Sequence, residues 1–288
     1  MKLTRQITDF LLHLRWHYQL FILSGGYMMG GLFSGVTDTV MYLVQFANVH
    51  LLLFGGATAF NSWYDRDSGP VGGLRNPPKM QPWMLQASWG LQIAGGCLAV
   101  LAGWQFFLLY MLSMFFFWLY SAPGPRWKGH PLLSLAGIGI STGTGSFLMG
   151  FSAAGHEFLS LHVIAASLGV AMVILSLYPV SQVYQMVDDM KRGDQTFFIR
   201  YGLAGVRRFF AGMFFPGLLI LALALWYEGQ RTIALLLPAA GMPAGALIAL
   251  LLYRLIGNRE EYKIVMRIKY LTSLLFVMFI LACFVIFL

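Results

Sequence analysis

Five of the 11 acidic residues, Asp65, Asp67, Asp188, Asp189 and Asp194, fall in two short stretches, NSWYDRDSGPVGGLRNPPKM from Asn61 and YPVSQVYQMVDDMKRGDQTFFIRYG from Tyr178. In the first, Asn61 and Asp65 are four apart and share one face of a helix; in the second, Gln185 and Asp189 repeat that spacing. Carboxylate and amide oxygens grouped in this way suit a hard cation such as Mg²⁺, which keeps some waters and is completed by substrate phosphate oxygens. Asn61, Asp65, Asp67, Gln185, Asp188 and Asp189 are therefore the candidate metal ligands. Cations follow the acids in each stretch, Arg75 and Lys79 in the first, Lys191, Arg192 and Arg200 in the second, with Arg126 and Lys128 between the two stretches. Lys holds phosphate as a point charge and Arg by paired hydrogen bonds. Any one of these charges alone reads as a solvated loop residue. Acids in paired stretches, flanked by bases and next to apolar runs, describe a site for a lipid-like diphosphate.

The elements that must carry these residues are membrane helices. With 58% hydrophobic and 10% charged residues over 288 positions, a water-soluble fold is ruled out. Apolar runs long enough to cross ~30 Å of hydrocarbon occur near 18–36, 39–61, 84–102, 104–121, 131–154, 159–185, 209–227, 232–253 and 270–288. They are continuously apolar rather than alternating, which excludes a barrel and predicts an all-α integral membrane protein of about nine transmembrane helices. Residues 1–17 mix charges with apolar residues and read as an amphipathic cytoplasmic arm, not a cleaved signal. If the amino terminus is cytoplasmic, every Lys and Arg except Arg231 falls on the cytoplasmic side, a bias that sets the orientation. The same distribution, spread over several short segments, gives no nucleic-acid footprint despite a formal charge of +8. Cys97 and Cys283 both lie within apolar runs and signal neither a disulfide framework nor a thiolate site. The motif loops 62–83 and 186–208 are separated by four helices and emerge on one side. Two parallel four-helix halves plus a ninth helix, in a single domain over 1–288, would bring them together around a central cavity.

At these residues the sequence resembles the UbiA superfamily of intramembrane prenyltransferases, over nearly its whole length. The resemblance implies nine helices around a cavity and two acid-rich motifs that bind a polyprenyl diphosphate through Mg²⁺. The first family motif is Asn with Asp four and eight residues later; Asn61 and Asp65 match, while position 69 is Gly and Asp67 is the substitute. Gly69 and Pro70 are expected to end the helix nearby. In the second motif, two Asp four apart precede a Gly and a Thr; Asp189, Gly193 and Thr196 match, Gln185 takes the first Asp position, and Asp188 is the compensating acid. YSAPGPRWK from Tyr120 is similar to the family's connection after helix four, which assigns Arg126 and Lys128 to the diphosphate. Tyr184 and Asp194 join Tyr120, Arg75, Lys79, Gln185, Lys191 and Arg200 as the remaining substrate-side candidates.

The implied reaction is Mg²⁺-dependent transfer of a prenyl group from a polyprenyl diphosphate to an aromatic or other lipophilic acceptor, within a lipid bilayer. An allylic C1 would lose its diphosphate and be attacked by the acceptor, with water kept out by an apolar cavity. Trp63, Tyr64, Tyr120, Tyr178 and Tyr184 are the rings near the polar ends, read first as packing or interfacial residues. Intramembrane terpene cyclisation and a non-catalytic relative are the alternatives. A transporter is disfavoured because the carboxylates gather at one surface rather than at the midplane. His50 and His162 are read as partners of a facing helix, and GIGISTGTGSF from Gly137 as close helix packing, since no strand precedes it and no Lys follows. The absence of a targeting segment, together with family habit, points to a bacterial cytoplasmic membrane.

Overall fold

The computed structural model describes residues 2–67, 69–156 and 160–287. Ser68 in the first motif loop, and Leu159 and Leu288 at the ends of two expected spans, lie outside the described residues. Among those described there are helices and one isolated bridge, between Val71 and Leu74. We number the helices α1 (Lys2–Leu14), α2 (16–34), α3 (Thr39–Asp65), α4 (Pro82–Ala102), α5 (Trp104–Ser121), α6 (Pro131–Ala153), α7 (Leu161–Lys191), α8 (Phe197–Tyr227), α9 (Arg231–Tyr253) and α10 (Arg259–Phe287).

Eight of these, α3 to α10, are long and apolar enough to cross a membrane. The expected count of nine is not reached because α2, the first predicted span, is rich in Gly, Ser and other polar residues. It has no need of an apolar surface: Ser24 through Phe33 are all buried by neighbouring helices. α2 crosses α6 at close range, so a Cβ on Gly30 would meet the backbone of Phe147 and Phe151, and one on Gly150 the backbone of Tyr27. The Gly-rich run from Gly137 thus lies in a packed helix, with a π-helical turn at Gly139–Thr144.

Segment 186–208, expected as a loop, is helical except for 192–196. α7 runs on to Lys191, and α8 starts at Phe197, bending at Gly202 where φ is 61°. The motif residues are thereby carried on rigid backbone. α1 lies against the bundle through Phe10 and Leu14, which pack with Ala59 and Met84. Leu3, Ile7 and Leu11, on the flank of that same apolar stripe, are exposed at helical spacing, as in an interfacial helix.

Candidate active site

Two helices deliver the motifs to one end of the bundle. In α3 a π-helical turn at Asn48–Phe54 shifts the register ahead of the last turns, and the helix stops at Asp65 because Arg66 adopts a left-handed conformation with φ 48°. The stop thus falls earlier than Gly69 and Pro70 suggested. In α7, Pro179 lacks an N–H, and the helix tightens through Pro179–Ser181 before Gln182–Lys191 continues. Asn61 and Asp65 from α3, and Gln185 and Asp189 from α7, line one cavity of about 220 Å³. Its lower walls are apolar and include Phe54, Phe117, Ile138 and Ile174. α5 contributes Tyr120 and Ser121. The following turn, with Arg126 at φ 37°, brings Lys128 to the cavity mouth. Arg15, Arg66 and Arg126 are the non-glycine residues with positive φ among the described residues, and all three flank this end of the bundle.

The charges interlock. Lys128 lies against the Asp65 carboxylate and donates to Asn61 Oδ1 at 3.2 Å, which also accepts from Ser121 Oγ at 3.2 Å. Arg126 forks onto Asp194 with two hydrogen bonds of 2.8 Å, its Nη2 lying 3.7 Å from Asp65. Arg192 donates from Nη1 to Asp67 at 2.6 Å, from Nη2 to Asp189 at 2.5 Å and from Nε to Asp194 at 3.2 Å. One guanidinium therefore touches both motifs. Burial alone would raise the Asp194 carboxyl, but hydrogen bonds and charge from Arg126, with Lys128 and Arg192, hold it below the usual range. Burial, and then the Arg192 guanidinium, lower the Lys128 ammonium from its ordinary value.

Asn61, Asp65, Tyr120, Lys128, Tyr184, Gln185, Asp189 and Asp194 all line the cavity. Asp67 and Arg126 stand behind that wall and reach it through Arg192 and Asp65. Asp188 turns away towards Arg259, at 3.7 Å, and Lys191, at 4.0 Å. Its Oδ2 lies 2.6 Å from where a Cβ on Gly69 would sit, so side-chain space at position 69 is already taken by a carboxylate from the other motif. Arg75, Lys79, Lys191 and Arg200 are exposed and do not line the cavity, Lys79 bordering a separate surface pocket with His13 and Trp63.

Sequence reasoning missed two buried cations. Arg15, 5% exposed, donates to Ser62 Oγ at 2.6 Å and leaves Nε without a partner in the cavity wall. Lys269, 6% exposed, donates to Tyr18 Oη at 2.5 Å. Both sit at the edge of an apolar run, the only signal the sequence offered. Tyr120 and Tyr178 share a hydrogen bond of 2.9 Å between their hydroxyls inside the cavity. His50 bonds the carbonyl of Phe46 on its own helix, at 2.7 Å, and its ring also packs edge-on against Tyr27 of the facing α2, with centroids 5.8 Å apart. His162, at the far end, pairs with Glu228 at 2.6 Å.

The sequence profile of the UbiA prenyltransferase family matches residues 20–275. No curated protein matches the chain. Among solved structures, a UbiA homolog from Archaeoglobus fulgidus bound to GPP and Mg²⁺ is similar with a TM-score of 0.67 and 20% identity, over 96% of this chain and 100% of that one. The same homolog bound to DMAPP and Mg²⁺ gives 0.65 and 19%, over 96% and 99%. A structure of digeranylgeranylglyceryl phosphate synthase gives 0.61 and 18%, over 97% and 99%. At these identities the likeness shows a shared fold.

Proposed function

The chain belongs to the UbiA prenyltransferase family, and from that premise we propose that it transfers a prenyl group from a polyprenyl diphosphate to a lipophilic acceptor, with Mg²⁺. One observation carries the reading: acids of both motifs, the buried Lys128 and the half-buried Arg192 meet at the mouth of a cavity whose depth is apolar. The relatives bound to GPP or DMAPP with Mg²⁺ support the donor class and the metal.

Among the described residues no three acids or histidines stand close enough to hold a metal alone. The donor chemistry nevertheless suits Mg²⁺, which takes one or two carboxylates and completes its shell with phosphate oxygens and water. Asp65 and Asp189, with Asp67 behind them, are the residues that would hold it. When bound, the metal supplies positive charge to the departing diphosphate. The chain adds its own: Lys128 and Arg192 at the mouth face the oxygen that gains charge as its bond to C1 breaks, and each is buried enough to act in a low dielectric. The apolar walls exclude water from the allylic cation, and the Tyr120 and Tyr178 rings line the same cavity, within which aromatic rings stabilise a cation. The positive-inside bias supports a cytoplasmic mouth.

The test is diphosphate release by the purified protein in nanodiscs, with GPP, with and without Mg²⁺ and a panel of phenolic acceptors. Acceptor-dependent release in Mg²⁺ is expected, and its loss in both Asp65→Ala and Asp189→Ala. Full turnover in both variants would refute the site.

A further inference from the structure

A cluster of bare carboxylates repels the anion it is meant to receive, and a divalent cation is the usual remedy. Here the remedy is largely built in. Asp65, Asp67, Asp189 and Asp194 are met by Lys128, Arg126 and Arg192, four negative charges against three positive ones. Arg192 does the joining. It contacts Asp67 of the first stretch and Asp189 of the second, and Nη1 also reaches the backbone oxygen of Asp65 at 3.4 Å. With Asp194 on Nε, four of its five N–H groups are engaged; the fifth, on Nη2, has no partner among the described residues, and the side chain lines the cavity. Two positions where the family motifs carry Asp are uncharged here, Gly69 and Gln185, so less negative charge is left for a metal to offset.

We propose that Arg192 is the resident cation of the diphosphate site: it ties the two motifs together and binds the diphosphate directly, so that this chain takes up its donor without Mg²⁺ and needs the metal only when the C1–O bond breaks. The proposal rests on the prenyl-diphosphate reading above, and it differs from a general role for a basic residue in separating binding from metal.

The experiment is equilibrium binding of geranyl diphosphate to the full chain in nanodiscs, in EDTA and in Mg²⁺, for the wild type, Arg192→Gln and Arg192→Lys. Mn²⁺ binding is followed by electron paramagnetic resonance on the same samples without diphosphate. The wild type is expected to bind in EDTA. Arg192→Gln should bind at least about tenfold more weakly there, the worth of one charged hydrogen bond, and recover when Mg²⁺ is added. Arg192→Lys, which keeps the charge, should lose less. Mn²⁺ should bind Arg192→Gln more tightly than the wild type, because Asp67 and Asp189 are released while Asp194 stays on Arg126; that readout does not depend on turnover and also reports a folded site. Wild-type binding that requires Mg²⁺ would overturn the proposal and leave the transferase reading intact, as would variants that bind in EDTA as tightly as the wild type. Absence of wild-type binding in both media would overturn the prenyl-diphosphate reading, and this proposal with it.

Discussion

Lys128 and Asp65 form the most buried ion pair of the site, with side chains 7% and 6% exposed. Removing one partner of such a pair leaves the other charge stranded, at about 3–5 kcal/mol. The structure reduces that figure unequally. In Lys128→Met, Asp65 can turn to Arg126, whose Nη2 is already 3.7 Å away, so the expected loss is about 2–3 kcal/mol. In Asp65→Asn, Lys128 keeps Asn61 Oδ1 at 3.2 Å but no carboxylate contact within ion-pair distance, and the loss stays near 3 kcal/mol. The double variant strands neither charge, and its loss should be no larger than that of the worse single variant, a coupling of about 2–3 kcal/mol. Thermal unfolding in detergent reads this at roughly 2–4 °C per kcal/mol for a chain of this size. Midpoints that fall additively in the double variant would refute the pairing as an energetic unit.

Three further outcomes are expected. Gly30→Ala should separate α2 from α6 and lower the unfolding midpoint by several degrees, while Gly124→Ala, with open space at its Cβ, should not; equal effects would refute the close crossing. Gly69→Asp, which restores the family's acidic residue, should lower transfer activity because its side chain displaces Arg259 and Asp188; a gain in turnover would count against the crowding described at that position. Burial is the main cause that lowers the His13 pKa below 6.5, against a hydrogen bond to the Pro78 carbonyl. Its contribution to stability is therefore complete above about 6.5, the unfolded value, and is lost as the pH falls below it. Limited proteolysis of α1 should accelerate below that pH in the wild type and not in His13→Gln.

Much of the site could be read from spacing, because the i, i+4 relation of Asn61 to Asp65 and of Gln185 to Asp189 is a property of one helix and survives folding. What spacing could not say is which cations turn inward. Lys128 and Arg200 look equally suited in sequence, but a left-handed turn at Arg126 swings the first into the cavity, and the helix through Arg200 points the second outward. Arg15 and Lys269 were invisible for the same reason: each is nearly 200 residues or more from at least one stretch of its surroundings, and tertiary packing alone makes it part of the wall. The first expected span does form a helix, α2, but it is not among the eight apolar enough to be counted as crossing, because hydropathy measures fitness for lipid and a helix surrounded by protein is free of that demand.

The position of α1 has a practical meaning. His13 bonds Pro78, Arg15 bonds Ser62 on the motif helix, Trp16 bonds Leu51 and His17 bonds Gly73, so the junction of α1 and α2 holds both α3 and the loop that follows Asp65. Leu3, Leu11 and Leu12 of α1 remain exposed. Deleting residues 2–15 would therefore take Arg15 out of the cavity wall and His13 off the segment after Asp65, so that trimming this end of the chain alters the cavity itself and not only its attachment.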